Sequence, residues 1–315
     1  MFISTKSREA MQGYSWSRED YLDLLIKKYV MEEEIYNGCL WLGEKETDYK
    51  LTEWLLDALP TLYQQDDIIF EYNQFNQKWS QKSCTLFSPI WAISDLMNIE
   101  IWLDTIKAWD KDSYNHWRKE WEWWWVALGV EFIADKYNDS DFAKKHWKVA
   151  YYSIDLKDNA LVKKVLDKHY TICTGYDGNA TYNNDKNKDW ILNGTTFWKS
   201  TYWHAVSAIW SDKNPARIKD NYKGIKYNIY EVEHEFSEIP WFFNRGYVFT
   251  KVAEDALEEV KRLNKMKTLT ENMIRDNSEM RKLTNDENYR VKLHEINEIN
   301  RKKVRDIETQ LKKYL

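Results

Sequence analysis

From Val252 to Leu315 the chain contains no proline, no glycine and no tryptophan, and Lys, Glu, Arg and Asn dominate. The usual breakers of a helix are missing there. Val252, Ala256, Val260 and Leu263 recur at helical spacing, as do Leu293, Ile296, Val304, Ile307 and Leu311. Thr284-Asn285-Asp286-Glu287 interrupts the pattern. The spacing predicts two helices of about 30 residues, each roughly 45 Å long. One narrow apolar stripe cannot hold so long a helix by itself, so each needs a partner: the other helix, or another subunit. Residues 252–315 therefore read as a coiled-coil-like arm that docks partner subunits. Any substantial core must come from the residues before it.

Those residues are well supplied for a core. The chain of 315 residues is 43% hydrophobic and carries 18 tryptophans, most of them between Trp41 and Trp241. Residues 1–58 read as a helical extension. Ser17-Arg18-Glu19-Asp20 caps a helix running through YLDLLIKKYVMEEEIY, and a second short helix covers Leu51 to Leu59, ended by Pro60. The character changes near residue 59, and residues 59–251 form the main domain. A net charge of −5 argues against a nucleic-acid partner. No apolar run approaches the roughly 18 residues of a membrane span, so no membrane partner is expected. The first residues show no secretory apolar stretch, which predicts a cytoplasmic or virion-borne protein. Three cysteines, Cys39, Cys84 and Cys173, make neither a disulfide framework nor a zinc pair. No cofactor or metal is expected.

Within the main domain the pattern is mixed, α+β. Residues 85–108 read as one or two helices, with Pro89 in a first turn. Trp117, Trp121, Trp123, Trp124 and Trp125 read as core filling, or as a stacking platform for sugar rings. Leu161, Val162, Val165 and Leu166 share one face of a helix over 157–170. Tyr170 to Gly175 reads as a strand and Asp177 to Gly194 as a long loop. Trp203 to Trp210 and Ile225 to Glu233 read as strands, separated by turn residues SDKNPARIKDNYKG. Asn244-Arg245-Gly246 turns into a last strand.

The chemistry centres on Cys84, which opens the apolar run CTLFSPIWAISDL. At a helix start the backbone N–H groups and the helix dipole favour a thiolate. Cysteine-dependent hydrolysis further needs a base, a group that orients the base, and an oxyanion donor. His204, in WHAVSAIW, opens a strand and is the candidate base. His116, His146 and His169 read as surface residues, and His234 as a rival base. Cys39 and Cys173 read as small buried hydrophobes.

Four segments, in order over residues 59–252, carry a resemblance. They are LPTLYQQDDIIFEYNQFNQ, SCTLFSPIWAISDL, LVKKVLDKHYTICTGYDGN, and WHAVSAIW followed by IKYNIYEVE and RGYVF. Together they resemble the papain-like cysteine peptidases, in particular divergent bacterial and phage-type members. The resemblance implies a papain-like fold: a helical subdomain with a nucleophile helix, and an antiparallel β-sheet or barrel subdomain. It implies Cys84 as nucleophile and His204 as base. The family's spacing for the oxyanion glutamine lands on Lys78, and Gln81 sits closer. Gln77 is the candidate because Asn76-Gln77 resembles the usual dipeptide. The family's Asn-Ser-Trp-Gly is missing, which leaves Glu233, Glu231 or Asn228 to orient His204. A carboxylate holds an imidazolium well, so Glu233 is chosen.

The function implied is a peptidase or amide hydrolase acting on a protein or peptide, carried by a phage or virion. Lys82 and Trp203 replace glycines of the family pattern. They motivate an alternative: a catalytically degenerate assembly protein that binds partner subunits through its Trp-rich surface and C-terminal helices.

Overall fold

Helix Cys84–Met97 is buried on every side, with only Asp95 reaching partial exposure. A helix apolar all round belongs inside a domain, and the rest of the chain is arranged about this one. The structure is a computed structural model that describes residues 49–62, 83–115, 126–177, 191–192, 203–212, 216–220, 228–232, 235–238 and 244–315. The chain divides into two compact units, Met1–Glu46 and Thr47–Leu315, and every described residue belongs to the second. The helix expected after Ser17, the tryptophans at 117–125, Gln77 and Glu233 lie outside the described residues.

In chain order the elements are α1 (Glu53–Ala58), α2 (Cys84–Met97), α3 (Leu103–Ser113), α4 (Val126–Asn138), α5 (Asp141–Lys145), β1 (Lys148–Asp155), α6 (Asn159–Asp167), β2 (Ile172–Asp177), β3 (Ile191–Leu192), β4 (Trp203–Ile209), β5 (Ala216–Asp220), β6 (Asn228–Val232), β7 (Arg245–Val252), α7 (Leu257–Leu283) and α8 (Glu287–Leu311). The seven strands form one sheet in the order β1-β7-β2-β4-β5-β6-β3. Each described pairing is antiparallel except β3 with β6. The architecture is α+β, as expected.

α2 lies on the sheet over β4, β7 and β2, and α4 packs beside it, against β1 and β2. Close approach of the two helices depends on Gly129 of α4. A β-carbon there would stand 1.9 Å from the Thr85 carbonyl oxygen. Pro89 sits inside α2 rather than in its first turn. It has no N–H to give the carbonyl four residues back, that of Thr85, and the bare backbone of Gly129 closes over that oxygen instead. Asn98 ends the helix in the left-handed conformation, at φ 54°.

The edge at β1 is not left bare. Tyr49 to Leu51 add to it: Ser153 N donates to Tyr49 O at 2.7 Å, and Leu51 N donates to Ser153 O at 2.9 Å. Asn138 pairs its side chain with Val149, accepting at 2.8 Å and donating at 2.9 Å. Leu51, Leu55, Leu56 and Leu59 enter the main core. The expected boundary at residue 58 therefore falls inside this unit.

Two expectations are corrected in the second half of the sheet. The stretch read as a turn between two strands contains a strand of its own, β5, at Ala216–Asp220. The stretch read as a long loop contains β3 at Ile191–Leu192, and its first residue, Asp177, closes β2. β6 occupies Asn228–Val232, shorter than the expected strand. Helix α6 does bury Leu161, Val162, Val165 and Leu166.

α7 and α8 pair with each other as an antiparallel hairpin joined through Thr284–Asp286. Val260 and Leu263 join Ile307 and Leu311 in the domain core. Farther out the seam turns polar. Asn277 donates to the Asn297 side chain at 3.1 Å, and Asn297 donates to Ile274 O at 3.2 Å and Ser278 Oγ at 3.1 Å. The hairpin is tied down at its base by Lys267, only 2% exposed, which pairs with Glu308 at 2.9 Å and donates to Lys50 O at 3.2 Å. Thr52 donates to the same Glu308 at 2.9 Å. No described helix is long and apolar enough to cross a membrane.

Candidate active site

Cys84 is the first residue of α2 and is 8% exposed. Ser83 precedes it, with its carbonyl accepting from Leu86 N at 2.8 Å and Phe87 N at 3.2 Å. The Cys84 N–H belongs to the first-turn donors, which have no acceptor inside a helix. Thiol and N–H thus share the positive end of the helix dipole, the setting that stabilises a thiolate and an oxyanion. The thiol is not in a disulfide.

The bond between α2 and β4 sets where His204 stands. Ser88, one turn below Cys84, donates to Val206 O at 2.6 Å, and Ser207 Oγ donates back to Ser88 O at 3.2 Å. At the far end of α2, Asp95 accepts from Thr171 at 2.7 Å. Thr171 adjoins Ile172, which pairs with Ala208. α2 and β4 therefore run in the same direction. Going back from Ser88 to Cys84 is about 6 Å of helix. Going back from Val206 to His204 is about 6.6 Å of strand. Both residues arrive at the same end of the sheet, where His204 pairs with Tyr176. Ser207, whose hydroxyl meets Ser88, marks the face of β4 turned to α2, and position 204 belongs to the alternate set along the strand.

Glu231 and Asn228 do not lie on the strand next to β4. The return strand was expected beside β4, but β5 intervenes. Val232, the residue before Glu233, pairs with Ala216 at the end of β5 distant from Asp220. That end lies one residue past Ile209, which pairs with Arg217, and so is about six strand residues, roughly 20 Å, beyond His204. Glu231 is level with Ile209 by the same ladder, and Asn228 sits on a strand that does not touch β4. The neighbouring strand does offer a carboxylate residue. Ser207 pairs with Lys219, so the next step places Asp220 opposite Val206. A residue so placed is a diagonal neighbour of His204, at roughly 7–8 Å between backbone positions.

β5 escaped the sequence reading because ARIKD is short, charged and flanked by turn residues. Lys219 is 3% exposed, held by Asp95 at 3.1 Å from α2. A buried lysine in the middle of a strand makes the strand read as a charged turn. The usable signal was the alternation of Ala216 and Ile218, both fully buried, which is the apolar half of a short strand.

Of the remaining candidates, Cys39, His116 and His234 lie outside the described residues, with Gln77 and Glu233. Cys173 is fully buried, and burial pushes its thiol up to about 12, against a smaller lowering by a Ser88 hydrogen bond. It behaves as packing. His146 is exposed. His169 is half-buried against the Trp210 ring, with 4.9 Å between centroids. A cavity of about 610 Å³ opens among Leu59, Trp147, Tyr170, Lys251 and Tyr314. Those residues flank the start of β1 and the end of β7, the opposite end of the sheet from Cys84. No family model, no curated protein and no solved structure matches the chain.

Proposed function

We propose that this protein is a cysteine-dependent amide hydrolase of papain-like fold, acting on a protein or peptide. The observation that supports the reading is that Cys84 opens α2 and that the Ser88–Val206 hydrogen bond sets the start of β4, with His204, level with that end of the helix. In the reaction the Cys84 sulfur attacks the scissile carbonyl carbon, and the thiol proton passes to His204. The C–N bond breaks as His204 returns that proton to the leaving amine. Water then hydrolyses the thioester, again with His204 as base. The Cys84 N–H, with Gln77 by resemblance, faces the oxyanion. Asp220 replaces Glu233 as the carboxylate that holds the imidazolium.

A thiol-directed epoxide tests this directly. Mass spectrometry of the treated full chain finds the adduct on Cys84, and His204→Ala slows its formation. A folded protein that leaves Cys84 unmodified overturns the reading.

A second reading, a catalytically degenerate assembly protein, is favoured by the 8% exposure of Cys84. It requires that Cys84→Ala change no hydrolytic activity towards a peptide library.

A further inference from the structure

We propose that the cavity at the end of the sheet opposite Cys84 binds a small aromatic carboxylate, with the ring against its apolar wall and the charge answered by Lys251 and Lys313. The inference is independent of the chemistry at Cys84.

The cavity forms where several chain segments meet. Residues 59–62 follow α1, Trp147 precedes β1, residues 251–259 run from β7 into α7, and residues 313–315 follow α8. Its volume of about 610 Å³ falls in the range of small-molecule sites. Leu59, Pro60, Leu62, Ala253 and Leu315 supply an apolar wall. Three aromatic residues join them. Tyr170 is 3% exposed, Tyr314 is half-buried, and Trp147, 52% exposed, stands at the mouth. Such a lining favours a flat apolar body, which gains contact with ring faces and edges.

The free polar groups are mostly donors. Tyr170 is buried, yet its hydroxyl makes no hydrogen bond among the described residues. A buried hydroxyl left without a partner is costly, and the cavity that Tyr170 lines is where an acceptor can reach it. Lys251 and Lys313 also line the cavity, and neither has an ion-pair partner among the described residues. Two like charges on one cavity, with no counter-charge between them, attract an anion.

Acceptors are fewer. Glu259 lines the cavity too, but its two oxygens take the Arg262 guanidinium at 2.6 Å each. Its charge is answered and its acceptors are engaged. Asp255 is the other carboxylate of the lining, and it is exposed. Two ammonium groups and a buried phenol therefore face one exposed carboxylate. A carboxylate ligand supplies the missing charge and the missing acceptors in one group. A neutral or cationic ring of the same shape supplies neither. One ring with a short acid arm, about eleven non-hydrogen atoms, is expected to bind with a Kd on the order of 1 mM.

Saturation-transfer NMR of the full chain at pH 7 tests the proposal, with 3-phenylpropionate and its uncharged isostere 3-phenylpropan-1-ol as probes. The acid is expected to bind at least about tenfold more tightly than the alcohol. Tyr170→Phe should weaken the acid about threefold, the loss of one hydrogen bond. Lys251→Met with Lys313→Met should abolish the preference for the acid, while Lys302→Met, an exposed lysine on α8 away from the cavity, leaves it intact. The comparison of acid with alcohol on the unaltered chain needs no variant to fold. No saturation transfer from the acid at about 5 mM, several times the expected Kd, overturns the proposal. So does equal binding of acid and alcohol, or a preference for the acid that survives the double lysine substitution.

Discussion

A β-carbon on Gly129 would lie 1.9 Å from the Thr85 carbonyl oxygen, the acceptor that Pro89 leaves without its helical donor. Backbone meets backbone at that point, so no side chain can swing away to make room. Gly129→Ala must move α4 or the first turn of α2, and that turn carries Cys84. The expected cost is about 3 kcal/mol, the upper range for overpacking a core. Urea unfolding measures it. The same substitution is expected to slow epoxide labelling of Cys84 in the protein that remains folded, since the thiol loses its fixed place at the helix end.

Four buried acids predict alkaline sensitivity. Burial raises the Cys173 thiol from 9.0 and the Tyr137 hydroxyl from 10.0, each to about 12. Burial raises Tyr152 and Tyr170 further still. In the folded chain these groups hold their protons where the unfolded chain has released them. Their contribution to stability is therefore complete below about pH 9 and is lost as pH climbs from there towards 12. Melting temperature is expected to be flat from pH 7 to 8.5 and to fall steeply above pH 9.5. Tyr137→Phe should flatten part of that fall, because its buried hydroxyl has no hydrogen-bond partner among the described residues.

How legible the fold was depends on what each element buries. α2 was readable because an uninterrupted apolar run leaves few alternatives, and α6 because Leu161, Val162, Val165 and Leu166 repeat at helical spacing. β4 was readable for the same reason in a strand. β5 was not, because its lysine is neutralised by Asp95 from a helix 124 residues earlier in sequence. No local pattern announces such a partner. The hairpin was predicted as two helices in need of a partner, and the first partner is their own antiparallel pairing. The seam that joins them is apolar at its base, with Val260, Leu263, Ile307 and Leu311, and farther out it depends on the hydrogen bonds of Asn277 and Asn297, which hydropathy does not report. At the candidate site, the positions of Cys84 at the start of α2 and of His204 near the start of β4 were readable, whereas the order of β4, β5 and β6 was not.

The hairpin's anchorage rests on one buried ion pair. Lys267 meets Glu308 at 2.9 Å and Glu271 at 3.8 Å. Burial, the largest influence, raises the Glu271 carboxyl above its usual value, so Glu308 is the principal counter-charge. Glu308→Ala strands a lysine that is 2% exposed and removes the acceptor of Thr52. A loss of about 3 kcal/mol is expected. Replacing the pair together, Lys267→Met with Glu308→Leu, should cost far less, since both desolvation penalties vanish with the charges. Urea midpoints of the two variants distinguish an ion pair that must be complete from one that is merely present.

The choice of Asp220 over Glu233 can be decided without a known substrate, because the rate of epoxide attack by Cys84 reports how well His204 is held. A carboxylate beside the imidazole stabilises the thiolate–imidazolium pair, and its loss typically lowers the chemical step by orders of magnitude. Asp220→Asn is expected to slow labelling of Cys84 at least tenfold at pH 7, at unchanged far-UV helicity. Glu233→Gln should leave the rate unaltered. The pH profile separates positioning from mere structure: losing the carboxylate lowers the imidazolium pKa and so narrows the pH window in which the ion pair exists, whereas a structural defect scales the whole profile evenly. An unchanged labelling rate in Asp220→Asn, with a slowed rate in Glu233→Gln, would return the role to the strand two places away.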